Sequence, residues 1–149
     1  MAQTLKSRIR SDMNAARRQR ERDRARLFST ILSDIRNREI ELGHELGDEE
    51  VISVLTRGIK LRVEAAEQMA SRPELAEKER REVEILREYM PPQLSGEEIR
   101  RKIVEAIEAG ATDIGAVMGP VMPQVKGAAD GRQVNAIARE ELDARRSDT

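Results

Sequence analysis

Hydrophobic residues recur along most of the chain at intervals of three and four, which is the period of an amphipathic α-helix. The first two stripes consist of Leu5, Ile9, Met13 and Ala16, then Leu27, Phe28, Ile31, Leu32, Ile35 and Leu42. Gly43 and Gly47 follow the second stripe, and glycine commonly ends a helix. The pattern therefore predicts two helices in the first 43 residues.

Two further helices are predicted between Asp48 and Met90. Asp48 is the expected N-cap of the third helix, because its carboxylate can accept hydrogen bonds from amides of the first turn. Pro73 fits the first position of the fourth helix. Gly58 lies inside the third helix, at a cost of about 1 kcal/mol relative to alanine. The inward positions are Ile52, Leu55, Ile59, Val63, Ala66 and Ala70, then Leu75, Val83, Leu86 and Met90.

The dipeptide Pro91-Pro92 interrupts this pattern, because proline cannot continue a helix. We place a domain boundary there. Ser95 and Glu98 form a predicted capping box for a fifth helix, which stops at Gly110. Its inward positions are Ile99, Ile103, Val104 and Ile107.

Two more helices are predicted after the fifth. The sixth is short, from Ile114 to Met122. The seventh starts at Asp130 or Gly131, and the residues from Arg145 to Thr149 are expected to fray. The inward positions of the seventh helix are Val134, Ile137, Ala138 and Leu142.

The complete pattern predicts an all-α fold in two domains. Four helices form an N-terminal domain at residues 1–90, and three helices form a small C-terminal domain at residues 95–149. The abundance of Ala, Glu, Arg and Leu agrees with helix rather than sheet. Phe28 and Tyr89 are the only aromatic residues, so we expect an aliphatic, methionine-based core.

The residue types exclude several classes of protein. The chain has no cysteine, which excludes a disulfide scaffold and a cysteine nucleophile. No apolar run reaches the roughly 18 residues of a membrane helix. We therefore expect a cytoplasmic protein without a membrane partner.

Candidate catalytic residues are absent from the pattern. His44 is the only histidine, and a histidine in a turn between two glycines is expected to be solvated. No acidic or histidine spacing indicates a metal site, and acidic residues alternate with Lys/Arg as on solvated helix faces. We expect no cofactor, no metal and no catalytic activity of the chain on its own.

Charge is unevenly distributed along the 149 residues, whose net charge is −1. Residues 1–26 hold nine Lys/Arg against three Asp/Glu, a net charge of +6. Residues 27–94 carry −5 and residues 95–149 carry −2. A basic segment of this kind can meet a polyanion.

Six arginines lie between Arg17 and Arg26. One interpretation is an exposed helix or hinge that Glu21 and Asp23 partly neutralise. The other is a phosphate-contacting surface, because the planar guanidinium binds phosphate oxygens in pairs. No aromatic residue is interleaved, so stacking on single-stranded bases is not expected. The candidate contact residues are Arg17, Arg18 and Arg20.

The segment VKGAADGRQVN, residues 125–135, also allows two interpretations. It is either a turn in which Asp130 caps the last helix, or a phosphate site at the helix start with Lys126 and Arg132 beside it. It is not a P-loop, because Gly-Lys-Ser/Thr is missing and no strand precedes it. The candidate RNA-binding residues are Lys126, Gly127, Gly131, Arg132 and Asn135.

Two segments, EYMPPQLSGEEI at Glu88–Ile99 and GAVMGPVMPQVKGAADGRQVNAIAREEL at Gly115–Leu142, resemble the GatB/YqeY family. The resemblance extends over nearly the whole chain. YqeY proteins are free-standing relatives of the tail of GatB, a component of glutamine-dependent aminoacyl-tRNA amidotransferase. The resemblance implies an N-terminal helical domain and a three-helix C-terminal domain. Gln124 and Ala128 depart from it, because Lys or Arg often stands at those positions.

The resemblance implies a non-catalytic module that binds tRNA or associates with the amidotransferase. A label of carbon–nitrogen ligase with glutamine as amido-N-donor would be inherited from the larger relative. Asn135 is expected either to bond back to the preceding loop or to contact RNA. The alternative function is a protein-interaction module that uses a face around Met118 and Met122, although these methionines also suit the core.

Overall fold

A computed structural model describes residues 3–147, and within that range the chain forms seven α-helices and no β-strand. The all-helical prediction is confirmed. Contacts divide the chain into two compact units, Met1–Met90 and Pro91–Thr149. Whether each unit folds as an independent domain stays a prediction.

The described part of the N-terminal unit contains four helices. They are α1 (Leu5–Arg18), α2 (Arg22–Leu42), α3 (Asp48–Gln68) and α4 (Pro73–Arg87). The most extensive packing joins α1 to α2 and α3 to α4, and α3 also contacts both α1 and α2. Pro73 occupies the start of α4, as predicted, because the missing proline amide would have no partner there.

The core of the N-terminal unit differs in composition from the prediction. Both aromatic residues are inside, since Phe28 is 0% and Tyr89 is 4% exposed. Their rings meet edge to face at 5.7 Å. Met13 and Met90 are only partly buried at the margin of this core. The core is therefore aliphatic and aromatic, and the expectation of a methionine-based core is wrong for this unit.

The start of α3 corrects the predicted cap. Gly47 is the N-cap, and its amide donates to Glu50 Oε1 at 3.3 Å. Asp48 Oδ1 instead accepts the amide of Leu5, at the start of α1, at 3.0 Å. Because that bond joins residues far apart in the sequence, the local pattern did not reveal it.

Glu39 connects the start of α1 with the loop before α3. Its carboxylate accepts the amide of Leu46 at 3.0 Å and the ammonium of Lys6 at 2.9 and 3.0 Å. These bonds, led by that from Leu46, hold the pKa of Glu39 below its ordinary value. The carboxylate thus favours its charged form in the fold.

Gly58 is buried in α3 at a close approach between helices. A Cβ at this position would lie 3.3 Å from both Ile31 Cδ1 and Arg62 Nη1. We expect Gly58→Ala to change the free energy of unfolding little, because the helix-propensity gain of about 1 kcal/mol offsets the crowding. Gly58→Leu should destabilise by about 1–3 kcal/mol through overpacking.

Urea unfolding of the wild type and the two Gly58 variants tests this expectation. Ser53→Leu serves as a comparison on the same helix, since Ser53 is only partly buried. Equal stability of Gly58→Leu and Gly58→Ala would show that the helices can separate at this point without cost.

Up to residue 147, the C-terminal unit contains three helices that all pack against one another. They are α5 (Gly96–Glu108), α6 (Ile114–Val125) and α7 (Gly131–Ser147). Ser95 caps α5, as predicted, by accepting the amide of Glu98 at 3.2 Å. The predicted inward residues of α7 are all buried.

Two helix ends in this unit differ from the prediction. Helix α6 continues beyond Met122 to Val125, although Pro120 and Pro123 lie inside it. Helix α7 is regular through Ser147, so fraying from Arg145 is wrong for residues 145–147. Residues 148 and 149 lie outside the described range.

Candidate nucleic-acid interface

The loop between α6 and α7 carries most of the predicted RNA-binding residues. Val125 ends α6, and its carbonyl accepts the amides of Ala128 at 2.8 Å and Ala129 at 3.1 Å. Gly127 has φ = 77°, the left-handed region that favours glycine. The glycine therefore allows this tight turn, and that conformational role does not require a phosphate.

The segment just after the two prolines holds this loop in place. The amide of Leu94 donates to the carbonyl of Ala128 at 2.8 Å. The side-chain amide of Gln93 donates to the carbonyl of Gly127 at 2.9 Å. The two motifs that carry the family resemblance are thus joined by hydrogen bonds. Sequence reasoning assigned no role to Gln93, and only its place in the first motif could have suggested one.

Asp130 caps the start of α7, as predicted. Its Oδ1 accepts the amide of Arg132 at 2.9 Å, and its carbonyl accepts the amide of Val134 at 3.0 Å. The start of α7, where the helix dipole would attract an anion, therefore already carries the carboxylate of Asp130. A phosphate approaching this point would meet the negative charge of Asp130 and would depend on side-chain cations for its attraction.

Two such cations stand on either side of Asp130. Lys126 and Arg132 are exposed, and the ion pairs within residues 3–147 include neither of them. Gly131 is the first residue of α7 between them. This junction can therefore offer one ammonium and one guanidinium to an anion.

Asn135 does not bond back to the preceding loop. Its Oδ1 accepts Nε of Arg139 at 2.8 Å, one turn further along α7. The loop contact, one of the two interpretations of Asn135, is therefore wrong, whereas a contact of Asn135 with RNA stays a prediction.

The two positions that depart from the family pattern have different surroundings. Gln124 is exposed and donates to the carbonyl of Pro120 at 3.0 Å. Ala128 is only 9% exposed. Position 124 therefore presents its side chain directly to solvent, whereas position 128 is largely covered.

The second group of predicted residues lies in the N-terminal unit, at the turn between α1 and α2. Arg17 and Arg18 occupy the last turn of α1, and Arg20 follows with φ = 60°, a left-handed conformation that non-glycine residues seldom adopt. All three are exposed. Local structure therefore presents their guanidinium groups to solvent.

The only histidine of the sequence lies in the loop between α2 and α3. His44 is exposed, its Nδ1 lies 2.9 Å from the carbonyl oxygen of Glu45, and its Nε2 lies 3.9 Å from Glu50. Residues 3–147 contain no group of three His, Cys, Asp or Glu side chains suited to a metal ion. Across the same residues no helix is long and apolar enough to span a bilayer.

Fold and site together define an all-helical protein whose candidate functional surfaces are exposed cations. The family model of Yqey-like proteins matches residues 6–142. The chain therefore belongs to the YqeY-like family. A comparison with curated proteins found no match.

Proposed function

We propose that this protein is a non-catalytic module that binds the sugar–phosphate backbone of tRNA, or that acts with the machinery of tRNA-dependent amidation. One observation carries the proposal. Lys126 and Arg132 lie exposed and outside any ion pair of the described residues, in the segment that resembles the GatB tail. A cytoplasmic location is part of this proposal.

The geometry supports contact through side chains rather than through backbone amides. The carboxylate of Asp130 accepts the hydrogen bond of the Arg132 amide. Because that amide is occupied, Arg132 would bind an anion through its guanidinium. Contacts of this kind position an RNA without reading its sequence. The chemistry of amidation would belong to a separate catalytic protein. The description as a carbon–nitrogen ligase would then apply to the larger relative.

The protein-interaction alternative has less support from the methionines that suggested it. Met118 and Met122 are partly buried and pack against the core of the C-terminal unit. They therefore contribute to the core, which was the other interpretation of these residues. A protein partner that is retained after nuclease treatment would favour the alternative.

The first experiment compares labelled tRNA with a length-matched DNA duplex across a salt series. Phosphate contacts make affinity fall with salt, and a preference for tRNA that persists near physiological salt would support the proposal. Equal binding of both nucleic acids, or none, would contradict tRNA binding and leave only the association with the amidation machinery.

Charge reversal tests the contribution of the loop. We expect Lys126→Glu/Arg132→Glu to weaken tRNA binding by on the order of tenfold or more, because two phosphate contacts become repulsive. Circular dichroism should show an unchanged fold, since both side chains are exposed. Arg101→Glu/Arg145→Glu, at two exposed positions of the same unit, is the matched control. Equal losses in the two double variants would assign the effect to net charge alone.

A further inference from the structure

The turn between α1 and α2 carries exposed arginines at the junction of two helices. These arginines offer a second surface for the proposed function. Five arginines lie in and beside this turn, and we call them together the arginine turn: Arg17, Arg18, Arg20, Arg22 and Arg26. All five are exposed. No ion pair among the described residues includes any of them.

The sixth arginine of the run, Arg24, has a structural role. It is partly buried, its guanidinium lies 5.4 Å from the centre of the Phe28 ring, and it pairs with Glu88 at 3.6 Å. It also lies 3.9 Å from the carboxylate of Glu21. Of the two acidic residues in the run, Glu21 and Asp23, the first therefore lies beside Arg24.

Local stability does not account for the arginines at the start of α2. Arg22 is the first residue of that helix and Arg26 lies in its second turn, whereas the helix dipole favours negative charge at this end. The N-cap residue Glu21 makes no side-chain capping bond. Departures from local structural preference concentrate at functional sites. This turn shows three of them: positive charge at a helix start, an N-cap without a side-chain bond, and the left-handed backbone of Arg20.

The surroundings of the aromatic residues indicate which form of nucleic acid fits. Surfaces for single strands use aromatic side chains on which bases stack. Phe28 and Tyr89, the only aromatic residues, are 0% and 4% exposed. Double-helical RNA is instead recognised through its shape and its phosphates, which exposed guanidinium groups can bind in pairs.

We propose that the arginine turn binds the phosphate backbone of double-helical RNA, such as the stems of a folded tRNA. This inference rests on the proposed function and adds both a second contact surface and the form of RNA. In this view the arginine turn supplies more cationic contacts than the α6–α7 loop, where Asp130 lies between the two cations.

The test uses the full chain and the triple variant Arg17→Gln/Arg18→Gln/Arg22→Gln. Glutamine has nearly the helix propensity of arginine, and Arg20 is kept so that its unusual backbone is unchanged. The matched control is Lys78→Gln/Arg80→Gln/Arg81→Gln, which removes three exposed charges from α4. The probes are an RNA duplex of about 16 base pairs, the length a double-strand reader spans, and one of its strands alone.

We expect the wild type to prefer the duplex to the single strand. In the arginine-turn variant, the slope of log affinity against log salt should decrease by about one for each lost contact, and the control should keep the wild-type slope. Equal slopes for the two triple variants, or equal affinity of the wild type for duplex and single strand, would overturn the inference.

Failure of this inference can be distinguished from failure of the proposed function. If the wild type binds neither tRNA nor the duplex, the proposed tRNA binding itself is wrong, and the inference fails with it. If the wild type binds tRNA but the arginine-turn variant binds as tightly as the control, only the inference is wrong. Circular dichroism of both triple variants confirms that any loss is measured on folded protein.

Discussion

Replacing Phe28 with alanine is expected to lower the free energy of unfolding of the N-terminal unit by about 3–5 kcal/mol. Phe28 is fully buried, meets Tyr89 edge to face, and lies under the guanidinium of Arg24. Truncation removes all of these contacts at once and leaves a cavity. Because whole domains are stable by only about 5–15 kcal/mol, this loss would be a large part of the total.

The same variant also tests whether the two units are independent domains. If they are, Phe28→Ala should speed amide hydrogen exchange in α1 to α4 and leave α5 to α7 unchanged. The reciprocal variant is Ile103→Ala, at a fully buried position of the C-terminal unit, with an expected cost of about 2–5 kcal/mol. Faster exchange in both units for each variant would contradict the two-domain prediction.

The parts of the fold that were predicted correctly depend on residues close together in the sequence. Hydrophobic periodicity located all seven helices of residues 3–147. Ser95 and Asp130 act as caps because each accepts an amide within three residues. Such interactions are repeated wherever the local sequence permits them, so one sequence is enough to recognise them.

The interactions that were missed join distant segments. Asp48 has the residue type and the position of a helix cap, yet its carboxylate accepts the amide of Leu5, 43 residues away. Gln93 bonds to Gly127, 34 residues away. Because spacing carries no signal for such pairs, tertiary packing overrode the local preference of Asp48 and gave Gln93 a role that the pattern could not predict.

The candidate site was predictable as charge but not as geometry. The sequence shows six arginines between Arg17 and Arg26, although only the fold separates Arg24 from the exposed five. It also shows Lys126 and Arg132 near a helix start. The cap by Asp130 was predictable, whereas the exposure of both cations outside any ion pair of the described residues was not. Together these two features move the proposed contacts from the backbone to the side chains.

Tyr89 provides the second large expected effect. It lies between helices α4 and α5 in the sequence, yet its hydroxyl donates to the carboxylate of Asp12 in α1. The guanidinium of Arg8 lies 4.5 Å from the centre of its ring. Burial, followed by the hydrogen bond to Asp12 and its negative charge, raises the pKa of Tyr89 well above its usual value, while Arg8 and Arg24 oppose the rise.

A raised pKa in the fold means that folding favours the neutral phenol. The stabilisation is complete below the pKa of about 10 of an unfolded tyrosine, and it is lost as pH rises from there through the higher pKa of the folded state. We therefore expect the stability of the N-terminal unit to fall above about pH 10. Tyr89→Phe should remove this part of the alkaline loss, while costing about 1–3 kcal/mol at neutral pH through the lost hydrogen bond.

The chain suits this measurement because Tyr89 is its only tyrosine and it has no tryptophan. The ultraviolet absorbance of phenolate therefore reports on Tyr89 alone, while circular dichroism follows the helices in the same titration. Ionisation and loss of helix should coincide, because the buried hydroxyl loses its proton most readily once α1 and Tyr89 separate. Ionisation of Tyr89 near pH 10 with the helices intact would contradict the role assigned to the bond with Asp12. Tyr89→Phe, measured over the same range, separates this effect from the deprotonation of lysines, which occurs at similar pH.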